Sequence, residues 1–184
     1  LIERILKEWI DAKIFIYDNK SPSNDFLIFI KKYSENINFV FSDLRDINFK
    51  YSDSHDVIIN YAAILGVKNV LNNPLKTLTL NIEIVKNCLL ALDKLKKYPR
   101  LFIQASTSEI YAESVNSKLA QIPTNENSII TFPDLNDPRS SYMLSKLVSE
   151  FLLIHKKIDM QKTSFRFHNI YGNEMGFRHV IPQL

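Results

Sequence analysis

Two apolar periodicities take turns along this chain, and their alternation restricts the fold more than any other feature. Residues 13–17, 37–41, 56–60, 100–104 and 163–167 are short runs rich in β-branched and aromatic side chains. Between them lie segments with helical spacing. Residues 1–10 place Ile2, Ile5, Leu6 and Trp9 on one face, and Ser23-Asn24-Asp25 caps a helix to about residue 32. Pro74 opens a long helix to about residue 96, and Pro138 opens another to about residue 157. Strands apolar almost throughout, each followed by a helix, predict an α/β, doubly wound parallel sheet covered on both faces. Ligands in such folds bind outside the carboxyl ends of the strands. Those ends carry Asp18, Asp43, Asn60-Tyr61-Ala62-Ala63, Ser106-Thr107-Ser108 and His168-Asn169.

Composition narrows the function classes. A chain of 184 residues, 46% hydrophobic, holds one domain with a core and too little for two. No apolar run reaches the roughly 18 residues of a membrane span, and the first residues do not resemble a signal peptide. The net charge of +3 comes from scattered lysines, with no basic face interleaved with aromatics, so nucleic acid is not an expected partner. The single cysteine, Cys88, lies in an apolar stretch and reads as a buried structural thiol. It cannot form an internal disulfide, which makes the cytoplasm the expected compartment. No metal site is expected. Only three glycines occur, none before Gly66, although doubly wound proteins spend glycines on their first strand-to-helix turn.

One pair of residues suggests chemistry. Tyr142 and Lys146 stand four apart near the start of a helix, on one face. An ammonium near a phenol favours the phenolate, which makes tyrosine a usable base near neutral pH. By itself the pair is equally a tyrosine and a lysine on a surface helix. Upstream, Ser106-Thr107-Ser108-Glu109 places three hydroxyls and a carboxylate just past a strand, where they could hold a substrate alcohol against that base.

Together these pieces resemble the extended short-chain dehydrogenases that act on nucleotide sugars, the NAD-dependent epimerase/dehydratase family. The resemblance runs through Tyr17-Asp18-Asn19, Ser42-Asp43-Leu44-Arg45-Asp46, residues 56–63, the segment at Asn81, residues 106–111, residues 138–146 and residues 166–172. It implies a Rossmann-type sheet over residues 1–172 and the start of a substrate-binding region at 173–184. It also implies NAD as cofactor, a nucleotide-diphosphate sugar as substrate and a homodimer. By the same resemblance Asp18 and Asn19 face the adenosine ribose, Asp43 and Leu44 flank the adenine, and Ala62 and Ala63 admit the cofactor backbone. Asn81, Ser106 and Phe167 complete the cofactor site. Thr107, Tyr142 and Lys146 form the catalytic triad, with Ser108 and Glu109 beside it and Lys146 also on the nicotinamide ribose. Thr107, His168 and Asn169 face the substrate.

The implied first step is oxidation of the sugar at C4. An epimerase then returns the hydride to the other face, a 4,6-dehydratase removes the C5 proton, and a uronic-acid decarboxylase loses carbon dioxide. The order Thr107-Ser108-Glu109 resembles GDP-mannose 4,6-dehydratases and UDP-glucuronate decarboxylases, and the sequence leaves the three open. Two departures stand out. The stretch between Thr107 and Tyr142 is about ten residues longer than is usual in the epimerases, predicting an extended loop over 112–137. The first strand and its glycine-rich, phosphate-holding turn do not occur in the chain given, since Leu1 aligns inside the first helix. That absence keeps a non-catalytic protein with the same fold as the alternative.

Overall fold

The computed structural model describes residues 1–172. Its elements are α1 (Ile2–Glu8), β1 (Ile14–Asp18), α2 (Asn24–Lys32), β2 (Ile37–Phe41), β3 (Val57–Asn60), α3 (Val67–Asn72) and α4 (Pro74–Leu92). There follow β4 (Leu101–Thr107), a 3-10 turn (Ser108–Tyr111), α5 (Ala112–Asn116), α6 (Ser140–His155) and β5 (Gln161–Phe167). All strand pairings are parallel, as the alternation predicts. The strands form two sheets, β1–β2 and β3–β4–β5. Among the described residues β1 and β3 therefore each keep one edge without a ladder partner.

Local chemistry explains several boundaries. The Ser23 hydroxyl caps α2 by accepting from the Phe26 amide at 3.3 Å. Pro74 opens α4 where its missing N–H costs nothing. The two long helices end earlier than their apolar pattern suggests. Helix α4 stops at Leu92, and Asp93–Leu95 continue only as turn-like bonds back to residues 90–92. Helix α6 begins at Ser140, because Pro138 and Arg139 belong to a turn whose Asp137 carboxylate accepts from the Arg139 amide at 2.9 Å.

Helices α4 and α6 pack against each other, and α6 lies on β4. Phe102 of β4, with no exposed surface, sits in a core with Ile58, Ile84, Val85, Cys88, Leu89, Leu92 and Leu153. Cys88 is buried there, and burial pushes its thiol up to about 12, which removes it as a nucleophile. A second cluster of Ile110, Tyr111 and Met143 takes Ile130 and Leu144 against it. This cluster seats the long segment between α5 and α6 beside the start of α6. No helix among the described residues is long and apolar enough to cross a membrane.

Because Phe102 is enclosed on all sides, Phe102→Ala should lower the stability of the fold by about 3–5 kcal/mol. Urea unfolding followed by circular dichroism should show the corresponding drop in midpoint.

Candidate active site and cofactor cleft

The loops after β1, β2 and β3 enclose a cleft of about 490 Å³ at the carboxyl ends of the strands. It is lined by Asp18, Asn19, Asp43, Leu44, Ala62 and Ala63, six of the residues expected to bind cofactor, and also by Tyr61, Ile64 and Ile84. Asp18 is exposed and turns the chain by accepting from the Lys20 amide at 2.8 Å. Asp43 accepts from the Arg45 backbone amide at 2.9 Å and from Arg45 Nε at 2.8 Å. That guanidinium holds the Asp43 carboxyl well below the usual carboxylate range. Asn19 reaches the same carboxylate at 3.5 Å, tying the β1 and β2 loops together.

Buried amides fix the loops from below. Asn60 Oδ1 accepts from the Ala62 amide at 3.1 Å, while its Nδ2 donates to Gln104 Oε1 at 2.9 Å, locking the β3 exit to β4. Asn81 of α4 accepts from the Ile64 amide at 2.6 Å and donates to the Ile64 carbonyl at 3.0 Å and to Ser145 Oγ at 3.2 Å. Its side chain is thus committed to holding the β3 loop from behind. Asn87, six residues further along α4, donates to the Leu44 carbonyl at 3.1 Å and so supports the β2 loop. Sequence reasoning passed over Asn87. The available signal was an amide inside an otherwise apolar helix, where a polar residue needs a partner.

The expected triad residues lie where β4 runs into its 3-10 turn and α6 passes overhead. Lys146 is only 4% exposed. Its Nζ donates to the Ala105 carbonyl at 2.9 Å and lies 5.7 Å from the centre of the Tyr142 ring. Thr107, the last residue of β4, accepts from the Glu109 amide at 3.2 Å through its hydroxyl, which starts the turn carrying Ser108 and Glu109. Ser106 is turned the other way, and its hydroxyl donates to the buried Glu150 carboxylate. Phe167 ends β5 with its ring 6.2 Å from that of Tyr61. His168 and Asn169 follow it, exposed.

The ionisation of the pair differs from the sequence expectation. The Tyr142 phenol is raised, not lowered, first by burial and then by the Glu109 charge. Burial also lowers Lys146, to about 8. The spacing identified the neighbours correctly, but burial opposes both charged forms, and the lysine is drawn to a backbone carbonyl rather than to the phenol oxygen. Among the described residues no cluster of His, Cys, Asp and Glu could hold a metal ion.

A parallel α/β domain with a cleft across its strand ends and a Tyr-Lys helix beside it has the architecture of a dinucleotide-binding, Rossmann-type fold. The family model described as "NAD dependent epimerase/dehydratase family" matches residues 1–184, and the chain belongs to that family. It is 29% identical over 178 residues to a UDP-glucose 4-epimerase of Mycoplasma genitalium, covering 94% of this chain and 49% of that protein. The chain thus spans about half the length of this relative. Among solved structures, the UDP-Glc/GlcNAc 4-epimerase of Campylobacter jejuni matches with a TM-score of 0.68 and 25% identity, over 90% of this chain and 48% of that one. A dTDP-glucose 4,6-dehydratase of Streptomyces venezuelae shares the fold with a TM-score of 0.70 and 18% identity, over 98% of this chain and 55% of that one.

The Lys146 shift makes folding pH-dependent. Between about 8 and the ordinary 10.5 the unfolded chain binds the proton that the folded chain has released, so Lys146 contributes stability that grows with pH across that window, and the raised Cys88 thiol opposes it above about pH 9. Lys146→Met should remove the rise below that point and leave the fall above it. Urea midpoints measured for both proteins from pH 7.5 upward, to about pH 10, check it.

Proposed function

We propose that this chain supplies the NAD-binding region and the catalytic triad of an enzyme that works on nucleotide-diphosphate sugars through a transient 4-keto intermediate. The observation that carries the reading is the placement of Lys146. It is buried, anchored on the Ala105 carbonyl two residues before Thr107, and faces the Tyr142 ring at the end of β4, the strand paired with β3, whose loop walls the cleft.

The cleft residues fit a dinucleotide. Asp18 at the end of β1 suits the hydroxyls of an adenosine ribose and disfavours a 2′-phosphate, which selects NAD over NADP. Leu44 and Ile84 offer apolar walls to a base, and Ala62 and Ala63 leave room for backbone approach. Bound NAD would supply reversible hydride acceptance from the sugar C4. Lys146 would hold the nicotinamide ribose, and Asn169 and His168 would meet the sugar or its phosphates. The substrate region would begin within residues 173–184, which lie outside the described residues.

Within that frame the chain's own groups have separate tasks. Thr107 Oγ orients the C4 hydroxyl, and Tyr142 removes its proton. Since burial and Glu109 both disfavour the phenolate, the ammonium of Lys146 must offset them when the site is filled. Neighbours named as UDP-sugar 4-epimerases support a UDP-linked hexose as the first substrate to test. Glu109, next to Tyr142 and two residues past Thr107, also suits removal of a C5 proton, the dehydratase branch. The homodimer belongs to this reading as well. On α6, Phe151 and Ile154 are exposed, at 61% and 62%, on the helix whose other face is buried on α4 and β4.

In the complete enzyme, Tyr142→Phe should lower turnover by at least about a hundredfold while NAD still binds. Near-normal turnover of UDP-, GDP-, CDP- and dTDP-sugars by that variant would remove Tyr142 as the base. Solvent deuterium decides the second step. Label entering C5 in the wild type and lost in Glu109→Gln means dehydratase-type proton removal, because the amide keeps the shape but accepts no proton. Product without C5 label, and only a mild effect of Glu109→Gln, means C4 epimerisation or decarboxylation.

A further inference from the structure

Beyond the triad, a second buried charge sits one helical turn along α6. Tyr142, Lys146 and Glu150 recur at intervals of four, so they form one stripe of the helix. Glu150 is 4% exposed. Its carboxylate accepts from Ser106 Oγ of β4 and from Arg166 of β5, at 3.1 Å from Nε and 2.7 Å from Nη2. Ser106 and Arg166 are partners in the β4–β5 register. Consecutive residues of β4 therefore hold consecutive turns of α6, Ala105 through Lys146 and Ser106 through Glu150.

Arg166 continues the connection outward. Its Nη1 donates to the Tyr111 hydroxyl and, at 3.2 Å, to the Glu126 carbonyl, and its guanidinium lies 5.1 Å from the Tyr111 ring centre. Tyr111 closes the 3-10 turn that carries Glu109, and its hydroxyl also donates to the Glu126 carbonyl at 3.3 Å. One guanidinium thus joins α6, the sheet, the Glu109 turn and the inserted segment 112–137. A bidentate arginine–carboxylate pair has a narrow geometric tolerance, and with the carboxylate buried and the guanidinium partly so, it transmits position as well as charge.

We propose that Arg166 and Glu150 are positioning residues, which set the height of Tyr142 and Lys146 on β4 against Glu109 and fix the inserted segment at Glu126. The proposal rests on the functional reading above, since it assigns these residues to the same reaction. Neither group touches the cleft. They act through α6 and through Tyr111.

The test separates position from bulk stability. Tyr142 is followed by 13C NMR in protein carrying ζ-labelled tyrosine, with its signal assigned by Tyr142→Phe. Its ionisation is governed by burial and by Glu109, and both depend on where α6 sits. Arg166→Lys, which conserves charge, should lower the Tyr142 midpoint by about half a pH unit or more as water enters and Glu109 moves away, and Glu150→Gln should lower it further because it also removes a carboxylate. Tyr111→Phe, which alters no charge at neutral pH and removes only the hydroxyl link, should shift it in the same direction by less. In the complete enzyme the first two variants should lower kcat about tenfold or more with KM within about threefold, and the double variant should be no worse than the poorer single one. Folded variants whose Tyr142 midpoint stays at the wild-type value overturn the proposal, whatever happens to their melting temperature. Should Arg166→Lys not fold, Tyr111→Phe and Glu150→Gln decide. A wild-type enzyme inert toward every nucleotide sugar would overturn the functional reading alone, because the NMR midpoints still decide the positioning claim.

Discussion

A charged amine inside a protein is tolerated only where something replaces the water it has lost. In this domain that replacement is the Ala105 carbonyl, 2.9 Å from Lys146 Nζ. The contact joins α6 to β4, and much else follows from it. It fixes which residues of α6 face the strand ends, and it places Tyr142 over the turn that begins at Thr107. It also leaves the amine poorly solvated, so that its proton is held weakly. Ser106 and Glu150 repeat the device one turn away. Side chain to backbone and side chain to side chain, the two junctions make the helix and the strand a single unit.

The polar residues of α4 serve a related purpose. Nine of its residues are buried, and three of those are Thr77, Asn81 and Asn87. Asn81 and Asn87 spend their amides on the loops after β3 and β2, the two that wall the cleft. A loop at the end of a parallel strand has backbone groups that no ladder can satisfy. Here the helix beneath supplies the partners. The shape of the cleft is set from the interior, and the residues that line it, among them Ala62 and Leu44, are free to be small or apolar.

Periodicity showed the architecture because it reflects burial directly. Residues 37–41 are read identically from the sequence and in the structure, since all but Asn38 are β-branched or aromatic and the run is bounded by polar turns. Helix α3 was not foreseen. It has six residues, no side-chain cap and Gly66 at φ 99° before it, so its form depends on packing against α4 rather than on its own sequence. The 3-10 turn and α5 were hidden for the same reason within what looked like a polar loop. At the site, order and spacing brought out the Tyr-Lys pair and the Thr107 run, and the residues lining the cleft came from family resemblance. What remained invisible was environment. Spacing says that Tyr142 and Lys146 are neighbours, but only packing says that the lysine is buried and the tyrosine half-buried. Likewise Ser106, in a row of hydroxyls, could not be assigned to the helix side until Glu150 was found beneath it.

Asn81 has a bearing on motion as well as on shape. Its amide holds both the N–H and the C=O of Ile64, and the same group reaches Ser145 on α6. Ile64 belongs to an irregular loop, which would ordinarily trade its amide hydrogen with solvent in brief local openings. With Asn81 holding it, opening the loop there breaks two bonds to a side chain that is 2% exposed between the helices. The Ile64 amide is therefore expected to exchange more slowly than the solvent-bonded amides of an ordinary loop, and the wall of the cleft gains stiffness from the helix behind it.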